Sequence, residues 1–170
     1  MRPPGRHRGV PRPHVAPPPF QRLLDGQRDA VWRYLVASVG REAADDCFQE
    51  TFLAAMRAYP RLRDDGHARA WVLTIAHRKA MDHHRARARH ATPVEELPEV
   101  AVLDPEPRDD DTWARVRALP PKQRAAVLLR YAGDLTHAEV GRALDCSEDA
   151  ARRSAHEGLK KLRLELTTAP

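Results

Sequence analysis

Arg152, Arg153, His156 and Lys160 fall on the side of a C-terminal segment that its apolar seam (Ala151, Ala155, Leu159, Leu162 and Leu166) leaves free. A guanidinium so placed can donate two parallel hydrogen bonds to guanine O6 and N7, and any of these bases can bind phosphate. Ser147, just ahead of them, suits the cap of that helix. Upstream, Thr136 with Glu139 three residues on spells a capping box. Short helix, polar turn and basic helix together make a helix-turn-helix, which presents side chains to a DNA major groove. The same pattern also describes a helical hairpin with a solvated polar face.

Two further groupings have chemistry in them. Asp46, Gln49 and Glu50 share one side of a helix at i, i+3 and i+4. That side is acidic and has no base beside it in the sequence, so it suits either docking on a basic partner or plain solvation. Trp71 opens a segment carrying Arg78, Lys79 and Arg85. A tryptophan beside phosphate-binding charges offers a base-stacking platform, and a tryptophan in that position equally suits a core. Asp82-His83-His84 spells a phosphoesterase metal signature, but it lies inside a basic helix with no strand before it and no second acidic cluster arranged as ligands. No Gly-rich phosphate loop and no nucleophile elbow is present. No metal, no cofactor and no enzymatic activity are expected.

These side chains need helices to position them. Leu23, Leu24, Val31, Tyr34, Leu35 and Ser38 recur at helical spacing, predicting a helix over Phe20 to Val39 that Gly40 ends. A second helix is predicted from about Glu42 to Tyr59, with Phe48, Phe52, Ala55, Met56 and Tyr59 on one face, and Pro60 closes it. Asp64-Asp65-Gly66 signals a turn. A third helix is predicted from about Ala68 to Arg87, with Val72, Ile75, Ala76 and Ala80 inward. Near Asp111 or Thr112 starts a helix carrying Trp113 and Val116. Pro120 and Pro121 break it and open the next, through Tyr131. Gly133-Asp134 is a turn, and the helix-turn-helix follows. The fold class is all-α: two small helical domains on a flexible linker. Residues 1–19 form a Pro/Arg-rich tail, 20–90 the first domain, 91–110 an acidic linker and 111–168 the second domain.

Charge supports a polymer partner more by its distribution than by its total of +5. The bases from Arg69 to Arg89 face only Asp82 in that stretch, and the acids from Glu95 to Asp111 follow with Arg108 alone among them. Cys47 and Cys146, far apart, give neither a disulfide framework nor zinc spacing, and point to a reducing cytoplasm. No run approaches the roughly 18 apolar residues of a membrane span. The first twenty residues carry seven prolines and no apolar h-region, so they read as an extended tail rather than a secretory signal.

Taken together, three motifs resemble a family. Asp46-x-x-Gln49-Glu50-Thr51-Phe52 comes first. Ala70-Trp71-Val72-Leu73-x-Ile75-Ala76 with Asp82 follows, and then Leu119-Pro120-Pro121-Lys122-Gln123-Arg124 with Leu128-Leu129-Arg130-Tyr131. Their order and spacing resemble bacterial RNA polymerase sigma factors of the extracytoplasmic-function type, which keep only regions 2 and 4. The resemblance spans about residues 20 to 166.

It implies that Asp46, Gln49 and Glu50 dock on the clamp helices of the polymerase β′ subunit. It implies that the loop from about Leu62 to Ala70, with Trp71, Arg78, Lys79 and Arg85 on the helix after it, engages the −10 promoter element and its melted non-template strand. Lifting a base from the stack costs a few kcal/mol, which a shaped pocket and positive charge must offset. Ser147, Arg152, Arg153, His156 and Lys160 would hold the −35 element. The linker would thread toward the polymerase active-site and RNA-exit channels. Core polymerase (β′ and β subunits), promoter DNA and an anti-sigma factor are the implied partners, with no membrane insertion. The other reading of the residues is a stand-alone helix-turn-helix regulator. Several positions depart from the family pattern, among them Arg78 where Asn is frequent, Arg152-Arg153-Ser154 where Lys-Ser-Arg is usual and Glu157 where a base is common. Asp145 stands where the turn usually has Gly, Ala150 and Ala151 where Thr-Val is usual, and Gly158 falls within the recognition helix, where it weakens helix propensity by about 1 kcal/mol relative to Ala.

Overall fold

The computed structural model describes residues 20–62, 65–90 and 110–168. The expectations for the tail at 1–19, and for the linker up to residue 109, lie outside the described residues. Every regular element described is helical. The first unit holds α1 (Phe20–Val39), α2 (Arg41–Ala58) and α3 (Ala68–His90), with 3-10 turns at Tyr59–Arg61 and Asp65–His67 between the last two. The second holds α4 (Asp110–Ala118), α5 (Pro121–Val127), α6 (His137–Ala143) and α7 (Glu148–Thr168). α5 does not continue as an α-helix to Tyr131 as its periodicity predicts: Leu128–Ala132 widens into a π-helical turn.

In the first unit the three helices pack pairwise around Val31, Tyr34, Leu35, Ala44, Val72, Leu73 and Ala76, all fully buried. Rings tie α1 to α2 and to the turn after it: Trp32 meets Phe48 at 5.8 Å between centroids, and Phe20 meets Tyr59 of the turn edge-on at 5.3 Å. Met56, predicted to share the face of Phe48 and Phe52, is instead half exposed.

The capping residues act as the sequence predicts. Thr136 Oγ1 accepts from Glu139 N at 3.2 Å while Glu139 Oε2 accepts from Thr136 N at 2.8 Å. Burial opposes ionisation of Glu139, but the hydrogen bonds its carboxylate accepts from the Thr136 N–H and hydroxyl, with Arg142 and His67 nearby, outweigh it and hold the carboxyl below its usual range. Ser147 Oγ accepts from Ala150 N at 3.2 Å and starts α7. Asp145 takes the left-handed conformation that the turn needs, with φ 53°. Gly158 has a packing reason. A Cβ there would lie 2.7 Å from Val127 Cγ2 and 3.3 Å from Gln123 O, so α7 crosses α5 too closely for any side chain.

The two units are docked. α1 touches α4 and the π-helical turn, and α3 touches α6. One buried cluster runs through both, from Leu35 and Leu73 to Leu128, Leu129 and Leu135. A Cβ on Gly133 would come within 2.9 Å of Leu73 Cδ1, which shows how tightly the π-helical turn meets α3. Polar groups line the rim. Arg69 donates to Gln27 at 3.1 Å and reaches Asp134 at 3.5 Å, and His67 Nδ1 lies 3.6 Å from Glu139.

Candidate nucleic-acid interface

α7 presents its bases as its apolar seam requires. Ala151 and Ala155 are buried, whereas Arg152, Arg153, His156 and Lys160 are exposed. They are not equally available. The Arg152 guanidinium is forked onto its own first turn, Nη2 to Glu148 at 2.6 Å and Nη1 to Asp149 at 3.2 Å. Arg153 and Lys160 have no ion-pair partner among the described residues. Ser147 is exposed, but its hydroxyl is committed to the cap.

On α3, Arg78 and Arg85 are exposed and Lys79 is half-buried. Arg85 pairs with Asp82 at 3.2 Å. That occupies the acid of the Asp82-His83-His84 triplet, and among the described residues no three His, Cys, Asp or Glu side chains cluster to hold a metal. Trp71 is half-buried, with part of its ring against the core and part lining a cavity of about 310 Å³. Arg78 lines that cavity from α3, and Glu139 and Arg142 line it from α6.

Asp46, Gln49 and Glu50 are all exposed on α2. The sequence shows no base beside them, yet Lys79 Nζ from α3 lies 3.2 Å from Glu50 Oε2. Periodicity along one helix cannot reveal a partner delivered by another, so a residue expected on DNA and one expected on protein are here paired. Such a partly exposed pair is worth at most about 1 kcal/mol. Leu53 and Met56 extend the same side of α2, about half exposed. Sequence reasoning missed Leu53, although its place at i+3 from Glu50 and i+7 from Asp46 was a usable signal. Burial, with the Glu50 and Asp46 carboxylates, pushes the Cys47 thiol up, so no nucleophile forms beneath this face.

The two basic surfaces meet each other. Ala150 and Ser154 of α7 line a cavity of about 310 Å³ with His77 and Met81 of α3. Arg78 and Arg85 line another with Arg142 and Asp145. The arrangement thus places two basic surfaces on separate units, with an acidic-apolar face on the far helix of the first.

The sigma-70 region 2 family model matches residues 23–90, and the sigma-70 region 4 model matches 110–162. The ECF RNA polymerase sigma factor ShbA of Streptomyces griseus is 38% identical over 136 residues, covering 72% of this chain and 71% of its own. The ECF RNA polymerase sigma factor SigD of Mycobacterium tuberculosis is 35% identical over 165 residues, covering 88% and 78%. Among solved structures, the fold is similar to the sigma factor RpoE in complex with the anti-sigma factor NepR from Bartonella quintana. There the TM-score is 0.75 at 16% identity, over 89% of this chain and 98% of that one. It is also similar to CnrH in complex with the cytosolic domain of CnrY, with TM-score 0.68 at 20% identity and 89% of each chain covered.

Proposed function

Because this chain belongs to the extracytoplasmic-function sigma factors of the sigma-70 family, we propose how its exposed residues divide the work of that family. The chain binds RNA polymerase core and directs promoter-specific initiation through the −10 and −35 elements. The region 2 match sets aside the stand-alone regulator, which needs only the second unit. Sigma factors are not enzymes, and this chain acts by binding alone, in the cytoplasm. No described helix is long and apolar enough to cross a membrane.

Asp46, Gln49 and Glu50 hold the polymerase β′ subunit, with Leu53 and Met56 adding apolar contact on the same side of α2. The observation that carries this assignment is an exposed apolar pair continuing an exposed acidic face, since solvent alone gives no reason to place leucine and methionine there. Trp71, Arg78, Lys79 and Arg85 engage the −10 region, Lys79 after release from Glu50. Arg153, His156 and Lys160 engage the −35 duplex, and Arg152 joins them by leaving Glu148 and Asp149. The first unit runs over 20–90 and the second from 110 or 111 to 168. An anti-sigma factor is a further partner, as in the two structures of similar fold.

The docked arrangement is a free form that must open. The −10 and −35 elements lie about 25 base pairs apart, roughly 85 Å along the duplex at ~3.4 Å per pair. Two units sharing one buried cluster cannot reach both. Purified core polymerase with this chain tests the function: transcripts starting at defined promoters are expected. Promoter-independent initiation, or none, would refute it. The Asp46→Lys/Glu50→Lys chain is expected to lose core binding, and retained affinity would remove those residues from the β′ contact.

A further inference from the structure

A buried polar cluster lies where α3 meets both α1 and the second unit. His77 Nδ1 is 2.8 Å from the hydroxyl of Tyr34, which is fully buried. Burial pushes the Tyr34 hydroxyl up, so it keeps its proton, and with Nδ1 unprotonated the imidazole accepts it. Two turns of α3 further on, His84 is hydrogen-bonded to the Ser38 backbone, while its Nε2 is buried with no hydrogen-bond partner among the described residues. The second unit supplies the cation of the cluster. Arg124 of α5 donates to Arg117 O at 2.7 Å and lies close enough to act on both Tyr34 and His84.

We propose that His77 and His84 form a proton-sensitive latch: the two units stay docked while both imidazoles are neutral, and separate when the imidazoles take up protons.

Geometry gives the reason. A protonated His84 buries an N–H with no acceptor, beside a guanidinium already there. A protonated His77 must donate to the Tyr34 oxygen instead, which turns the buried hydroxyl proton away to seek another acceptor. The groups facing His77 are mostly cationic or neutral: Arg78 and Arg85 on α3, Lys122 on α5 and Arg142 on α6, with Tyr34 on α1. Those facing His84 are Arg124, His83 and Arg87, with the Ser38 backbone alone favouring the charged form. The acids within reach are Asp82, which Arg85 holds at 3.2 Å, and Asp145, which is exposed in the turn. Desolvation by burial, then Arg78, brings His77 down to about 4 in the docked form, and desolvation, then Arg124, lowers His84.

For histidines lowered on docking, docking is favoured above the free imidazole value and weakens as pH falls through it. With a free value of 6.5 and a docked value of about 4, lowering the pH from about 7.5 to about 5 shifts the open-to-docked ratio by at most about 30-fold through His77, the bound being reached where opening returns the imidazole to its free value. His84 acts in the same direction. This does not depend on the polymerase reading, because the test contains no polymerase and no DNA.

The experiment is single-molecule energy transfer on the full chain, with dyes at Arg57→Cys and Lys161→Cys in a Cys146→Ser background. Cys47 is buried and stays unlabelled. An open population rising by more than about threefold and up to about 30-fold between the two pH values, with far-UV circular dichroism unchanged, is the expected result. In His77→Gln/His84→Gln, the amide introduced at position 77 still accepts from Tyr34 but neither new side chain titrates, so the rise should be lost. A rise below about threefold, an equal rise in the variant, or an open form undetected at both pH values would overturn the proposal. If the variant misfolds, imidazole NMR on the unaltered chain decides: His77 and His84 must titrate together with opening. Titration near the ordinary value in a chain that stays docked would also overturn it.

Discussion

Gly158→Ala is expected to destabilise the protein, although helix propensity alone says the opposite. In an open helix the change gains about 1 kcal/mol. Here the new Cβ would stand 2.7 Å from Val127 Cγ2, roughly 1 Å inside the ~3.5–4.0 Å optimum for two carbons. Val127 cannot easily turn away, because it is β-branched on a helix and buried. Sliding α7 is blocked by Gln123 O at 3.3 Å and Gln123 Cβ at 3.4 Å. Overpacking of this kind costs ~1–3 kcal/mol. Taking about 2 kcal/mol for the clash against about 1 for propensity leaves a net loss of about 1 kcal/mol. Urea denaturation followed by far-UV circular dichroism should show a lower midpoint with unchanged slope. Val127→Ala removes Cγ2, so the double variant should recover most of the loss, with a coupling of at least ~1 kcal/mol. A Gly158→Ala chain more stable than the parent, or a coupling near zero, would refute the close crossing.

Three other outcomes are expected. Glu50→Gln should weaken core binding in a pull-down while changing stability by less than about 1 kcal/mol, since its bond to Lys79 is partly exposed. Arg153→Ala should lower affinity for a −35 duplex and reduce the slope of log affinity against log salt by about 1. Arg152→Ala should do less, because that guanidinium must first leave Glu148 and Asp149. Thr136→Ala should cost about 1 kcal/mol through the lost cap. Because the Glu139 carboxyl is depressed in the fold, its contribution is present above the unfolded value and lost as pH falls through the folded one. Glu139→Gln should therefore flatten the acid limb of a stability–pH curve, and an unchanged limb would contradict the capping geometry.

Much of the architecture was legible because it rests on local rules. The bounds of α1, the breaks at Pro60 and Pro120, the capping box at Thr136 and the cap at Ser147 each follow from residues within four positions of one another. So does the exposure of the α7 bases opposite their apolar seam. The π-helical turn at Leu128–Ala132 was not legible, since LLRYA carries no local signal against an α-helix. Its widened geometry goes with the docking of Leu128 and Leu129 into the shared cluster. Gly158 reads in sequence as a weakness for the same reason: its explanation, Val127, lies on another helix.

By itself the sequence determined most of the helices, the caps at Thr136 and Ser147, the family and the exposure of the charged faces, because each is written in spacings of three or four residues. Only the tertiary structure decided which charges are already engaged. Lys79 reaches Glu50 across 29 positions of chain, Tyr34 meets His77 across 43, and Arg124 arrives from the second unit to act on His84. These contacts join helices whose order along the chain says nothing of their separation in space. Their energies arise from removing charge and hydrogen-bonding groups from water, which depends on what surrounds a side chain and not on what precedes it.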